Sequence, residues 1–400
     1  MRKIVASLLT GLLIAGAAAS PAWGAPGAPP APDHSRPVCP APRNGSYEAA
    51  CTARQALDRT GTPITSASGP PSTALVPSQL KDAYGLDGTA SGGRTVAIVD
   101  AYGYPNLERD LAVYRKQFGL PECSTANGCL TIRNQSGGTK LPRFDLGWAQ
   151  EQALDVDAVS AACPDCRIAV FQASAQSLTA LGTAVQTAAQ MPGVVAISNS
   201  YAFYDAPDST YGKYYSHPGL AVTASAGDWG YNGAYYPASS SYVVGVGGTS
   251  LVQAANPRGW SETAWKGTGS GCSSLNAALP PASAVNTGCA GRAMNDVSAV
   301  SDPTNGGLAV YYPTSAAKST WSQLGGTSEA SPIIASVFAL SGNTGSPSTP
   351  ANWIPYSNTS SLFDVTTGSN GACSPSQWCT AGTGWDGPTG LGTPNGVGGF

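Results

Sequence analysis

The chain has 400 residues, of which 11% are charged, and its formal net charge is −3. So sparse and balanced a charge set excludes a nucleic-acid partner whose affinity would rest on clustered Lys and Arg. The length permits one large α/β enzyme or several smaller domains, and with only His34 and His217 to supply imidazole, acid–base chemistry falls to carboxylates.

In chain order, Met1-Arg2-Lys3, the apolar run Ile4 to Ala19 and the small-residue stretch Pro21-Ala22-Trp23-Gly24-Ala25 follow the layout of a secretory signal peptide. Residues 1–24 are expected to be removed and the mature protein to be secreted and extracellular. No later run is apolar enough to span a bilayer, so no membrane association is expected after cleavage. Residues 25–77, rich in Pro, Ala, Ser and Thr, suit a linker or short propeptide.

From Ser78 the texture changes. Strand-length apolar runs at 95–100, 167–171, 194–198 and 220–225 alternate with helical stretches near 106–118, 147–162, 176–190 and 328–341. This alternation predicts an α/β fold, a mainly parallel sheet with helices on both faces. Residues 231–325, rich in Gly, Ser, Pro and Tyr, read as long loops and short strands framing a cleft. The 10 cysteines fall into five local couples: Cys39 with Cys51, Cys123 with Cys129, Cys163 with Cys166, Cys272 with Cys289, and Cys373 with Cys379. An even count in an exported chain predicts disulfides, and proximity suggests these pairings.

The candidate chemistry lies where such a sheet places its ligands, beyond the carboxyl ends of the strands. Gly325-Gly326-Thr327-Ser328 leads into the apolar run 333–340, which lifts a hydroxyl out of a glycine turn at the head of a helix; a plain helix cap is the alternative. Pro332 is expected near the first turn, where a missing N–H costs little. Glu151 and Asp155 are four residues apart in a stretch free of Gly and Pro, so as a helix it sets both carboxylates on one face. Such a pair shares a proton and holds an acid and a base together; by spacing alone, an acidic solvated face that includes Asp157 is the commoner outcome. Asp228 follows the strand run ending at Ser225, within Gly227-Asp228-Trp229-Gly230.

Taken together, these blocks resemble the serine-carboxyl peptidases, the sedolisin family. Ser78 to Gly85 is similar to the opening of the family's catalytic domain, which would make 78–400 the peptidase domain. Glu151 to Asp155 matches its E-x-x-x-D helix, Gly227 to Gly230 its G-D-x-G turn, and Gly326-Thr327-Ser328 with Pro332 its G-T-S-x-x-x-P block. The resemblance implies a subtilisin-like fold and acid-active endo- or exopeptide hydrolysis of peptides or proteins through an acyl-enzyme on Ser328, an endopeptidase being the expected form. Glu151 would be the base and Asp155 its proton-sharing partner. Asp228 would be protonated to donate into the oxyanion hole. It also implies a C-terminal calcium loop, with Asp364 and Asp386 giving carboxylates and Val365, Gly382 and Gly384 carbonyls. The protein is expected to act as a monomer.

Several residues depart from the family pattern. About fifty residues separate the signal from Ser78, too few for the large prodomain usual in the family. Glu329 follows Ser328 where a small residue is usual, Tyr201 stands where a Trp is frequent, and Asp100 where a Glu supports the acid pair. A catalytically inactive relative that binds peptides or cell-surface polymers is the alternative function. A triad of Asp100, His217 and Ser328, in subtilisin's order, is a further alternative.

Overall fold

The computed structural model describes Met1 and residues 34–42 and 46–400; the signal segment beyond Met1 and residues 25–33 of the leader lie outside the described residues. Among the described residues the central sheet has eight strands. From one edge run Trp260–Ala264, Val244–Gln253, Ala221–Ser225, Val194–Asn199, Thr95–Ala101, Arg167–Ala173 and Leu130–Asn134, with Val297–Val300 also paired to Val244–Gln253. All pair in parallel except Trp260–Ala264. In Thr95–Ala101, Val96 and Ile98 join one core cluster, while Ala97 and Val99 join the other. Alternate side chains thus fill both faces, which is why the strand reads as an unbroken apolar run.

The four expected helices form at Leu107–Gln117, Leu146–Ala162, Leu178–Ala189 and Thr327–Ser341. Leu178–Ala189 packs against Arg167–Ala173 and its neighbours, whereas Leu146–Ala162 and Thr327–Ser341 pack on each other and on the sheet. The fold is the α/β one expected, a mainly parallel sheet with helices packed on it. All five cysteine couples are bonded in the pairs that proximity suggested. Among the described residues no helix is long and apolar enough to cross a membrane.

The region 231–325 is more regular than its composition implied. Val244–Gln253 is a ten-residue strand deep in the sheet, and Leu308–Pro313 pairs with Ser319–Gly325 as a hairpin. A Cβ on Gly248 would lie 2.6 Å from Ser301 Cβ, and one on Gly245 would lie 3.0 Å from the Asn295 nitrogen. Close packing requires those glycines, and they mask the strand's propensity.

The described residues between 34 and 66 are woven into the same body. Ser35–Pro37 pairs with Arg54–Ala56, which pairs with Ser319–Gly325, as does Thr65–Ser66. Ala50–Cys51 pairs with Tyr201–Tyr204.

Candidate active site

The strand Ser319–Gly325 is followed by Gly326, whose φ of 100° suits only glycine. A side chain there would strike the Thr52 carbonyl and come within 2.6 Å of Asp228 Oδ2. The helix then begins at Thr327. Its N–H and Oγ1 both donate to Asp228 Oδ1 at 2.9 Å, and its Oγ1 accepts the Gly227 N–H at 3.0 Å. The Asp228 turn and the Ser328 turn are thereby locked together. Ser328 is fully buried. Its hydroxyl lies 2.8 Å from Thr52 Oγ1, which also lies 2.7 Å from Ser225 Oγ. Pro332 is the sixth residue of the helix, one turn further in than expected. Lacking an N–H, it leaves the Ser328 carbonyl without its helical donor, and Ser200 Oγ stands 3.4 Å from that oxygen.

The acid residues come from Leu146–Ala162, which starts where Asp145 accepts the Trp148 N–H at 3.1 Å. The helix is surrounded on all sides, and Glu151, Asp155 and Asp157 are all buried. The solvated acidic face is therefore excluded. Asp157 turns elsewhere and accepts the Tyr311 N–H. Asp100, buried at the end of Thr95–Ala101, joins Glu151 and Asp155.

Burial pushes the Glu151 carboxyl well above the usual range and the Asp100 charge pushes it further, while the Ser328 hydroxyl and the Ala53 amide hold it back. Neither Glu151 oxygen makes a hydrogen bond of good geometry in this state. Asp155 is raised by burial and by the charges of Asp100 and Glu151, against the Ser200 hydroxyl that donates to its Oδ1 at 2.8 Å. Burial alone raises Asp100. Among the described residues no ion pair reaches any of the three. Three like charges so close cannot all ionise, so protons are shared among them.

The remaining candidates fall elsewhere. Glu329 is buried beside the Leu308 amide. His217 Nε2 lies 2.9 Å from the Tyr214 carbonyl and lines a cavity with Tyr242 and Pro350, so it stands outside the acid cluster and forms no triad with Ser328. Tyr201 donates to Asn199 Oδ1 at 2.8 Å and sits beside Trp148. Thr52 and Ser200, which touch the nucleophile, carry no sequence signal as site residues.

In the C-terminal loop the Gly384 N–H donates to Asp364 Oδ2 at 2.9 Å and the Gly382 N–H to Asp386 Oδ2 at 3.1 Å. Burial pushes Asp386 up to about 7, with the Asp364 charge adding to the rise and amide bonds from Thr389 and Gly382 opposing it. Among the described residues no three His, Cys, Asp or Glu side chains gather as a metal site. What this loop offers a cation is the two carboxylates of Asp364 and Asp386, oxygen donors of the kind a hard cation takes.

The arrangement sets a buried serine hydroxyl and a turn-borne aspartate beside a cluster of three buried carboxyls on a mainly parallel sheet. No family model matches the chain. It is 31% identical over 372 residues to kumamolisin of Bacillus sp. (strain MN-32), covering 81% of this chain and 63% of that protein. It is 35% identical over 174 residues to sedolisin of Pseudomonas sp. (strain 101), covering 40% of this chain and 28% of that one. The chain therefore spans less than two thirds of the length of either curated relative. Pseudomonas sedolisin in complex with pseudo-iodotyrostatin superposes with a TM-score of 0.66 at 23% identity, covering 82% of this chain and 96% of that one. Sphericase superposes at 0.51 and 17% identity, covering 79% and 96%. At those identities the structural likeness is one of fold. The chain is thus similar in sequence to two serine-carboxyl peptidases of the sedolisin family and shares their subtilisin-like fold.

Proposed function

We propose that the protein is a secreted, monomeric, acid-active endopeptidase that hydrolyses peptide bonds of peptides and proteins through an acyl-enzyme on Ser328. Glu151 takes the Ser328 proton and later returns it to the leaving amine, while Asp155 shares a proton with Glu151 and orients it. Asp228, protonated, donates to the developing oxyanion together with the Ser328 N–H. The observation that carries this reading is the buried cluster of Asp100, Glu151 and Asp155, with raised carboxyls, beside a buried serine hydroxyl. A peptide aldehyde should add to Ser328 and protect the protein against unfolding at acid pH, with no protection in Ser328→Ala. Equal protection of both proteins would favour a peptide-binding relative without catalysis.

The same proposal assigns calcium to the loop of Asp364, Val365, Gly382, Gly384 and Asp386. A divalent cation would supply the positive charge that the buried Asp386 and its neighbour Asp364 lack, and so tie the loop to the body.

A further inference from the structure

We propose that Arg143, seated on the ring of Tyr102, is a specificity-determining residue that selects peptide substrates bearing a carboxylate side chain a few residues from the scissile bond. The inference rests on the peptidase reading above and names the substrate chemistry its cleft favours.

Tyr102 directly follows Thr95–Ala101, the strand that carries Asp100, and its φ is 61°. Among the described residues the other non-glycine residues with positive φ are Asn286 and Asn295. Asparagine tolerates this region, whereas an aromatic side chain adopts it at a cost. The surroundings hold Tyr102 there. Its N–H donates to the Ala173 carbonyl at 2.7 Å, and its carbonyl accepts from Gln152 Nε2 at 3.1 Å. The next N–H, of Gly103, donates to the Arg143 carbonyl at 2.7 Å, and a Cβ on Gly103 would strike the Pro142 carbonyl. Backbone strain retained beside a cluster of buried acids points to a placed side chain. What the Tyr102 ring meets is Arg143, whose guanidinium carbon lies 4.9 Å from the ring centroid.

A row of rings links this stack to the reacting groups. Tyr102 lies 6.4 Å from Trp148, and Trp148 lies 6.5 Å from Tyr201, centroid to centroid. Trp148 precedes Glu151 by about one helical turn, and Tyr201 follows Ser200, whose hydroxyl donates to Asp155. These spacings put the guanidinium roughly 10–15 Å from the acid pair, the reach of about three or four extended residues. Arg143 is exposed, and among the described residues its guanidinium makes no hydrogen bond or ion pair. Asp145, the acid nearest to it in sequence, caps the Trp148 N–H instead. A planar fork of free donors, steadied by stacking, is prepared to take a carboxylate in two parallel bonds. The arginine stays charged throughout the acid range while a Glu side chain ionises near pH 4.3, so the pair forms from about pH 4 upward.

The test is a peptide series in which a single Glu or Gln is moved through the positions on either side of the scissile bond, with kcat and KM measured for each. At about pH 5 one position should favour Glu over Gln about fivefold in kcat/KM, chiefly through KM because the contact is already made in the ground state. The preference should fade below about pH 3.5, where the substrate carboxyl is protonated. Arg143→Gln should abolish it, and Arg143→Glu should turn it into a preference for Lys over Gln at the same position, which a misfolded variant does not give. Turnover with no position favouring Glu, or a preference that survives in Arg143→Gln, would overturn the proposal and leave the peptidase reading standing. Absence of turnover on every peptide at every pH would remove that reading, and this inference with it.

Discussion

Asp100, Glu151 and Asp155 each have reason to hold a proton: they are buried, they face one another, and no ion pair among the described residues relieves them. The Asp100 charge is the second largest cause of the rise at Glu151 and at Asp155. Removing it in Asp100→Asn should lower both carboxyls and shift the alkaline limb of kcat/KM acidward by about one pH unit. An unmoved limb would show that Asp100 does not bear on the pair. Gly326 is a second residue with a single job. Its positive φ and its contacts with the Thr52 carbonyl and Asp228 leave no room for a methyl group. Gly326→Ala should therefore reduce kcat by about 100-fold or more, because it displaces the oxyanion donors; a kinetic assay on the soluble variant checks this.

At the scale of elements, Thr327–Ser341 carries both the nucleophile and much of the core. Ile333, Ile334, Val337 and Phe338 are buried, and the Phe338 ring meets Phe400 at 5.2 Å. Phe338→Ala should cost about 3–5 kcal/mol, read as a lower denaturant midpoint at acid pH. This helix and its partner Leu146–Ala162 were legible because the apolar runs and the carboxylate spacing are local signals. Val244–Gln253 was not, since the glycines that let Asn295 and Ser301 approach also remove the side chains that mark a strand. Ala49–Ala56 was hidden for another reason. Its small residues are buried between Tyr201–Tyr204 and Ser319–Gly325, and so short a run of small side chains carries no hydrophobic period. The four candidate catalytic residues were readable from their motifs, whereas Thr52 and Ser200 reach Ser328 through contacts 276 and 128 residues apart in sequence.

At the scale of the molecule, the raised carboxyls make stability depend on pH with a definite sign. A buried acid whose folded pKa exceeds its unfolded value binds protons more tightly when folded, so its contribution is complete below the unfolded pKa of about 4 and is lost as pH rises through the folded one. Asp100, Glu151, Asp155 and Asp386 all shift in that direction, and for Asp386 the window runs from 3.8 to about 7. The calcium-free protein should thus melt at a higher temperature near pH 4 than near pH 7. Calcium bound at the proposed C-terminal loop would oppose this, because it would favour the ionised carboxylates. Chelation near pH 6 should accordingly lower Tm by a few degrees, about what a 100-fold excess of ligand over its Kd is worth in a chain this size. A melting curve indifferent to chelator would remove calcium from the account.

The central claim is that carboxylates, and not a histidine, activate Ser328. The measurement that meets it most directly is a pH–rate profile from about pH 2 to 8 on a mixed peptide library, comparing wild type with Ser328→Ala, Glu151→Gln and His217→Ala. The account predicts turnover confined to the acid side, reduced about 10⁴-fold or more in Ser328→Ala and about 10²-fold or more in Glu151→Gln, and retained in His217→Ala. Turnover that survives Glu151→Gln but vanishes at every pH in His217→Ala would contradict it.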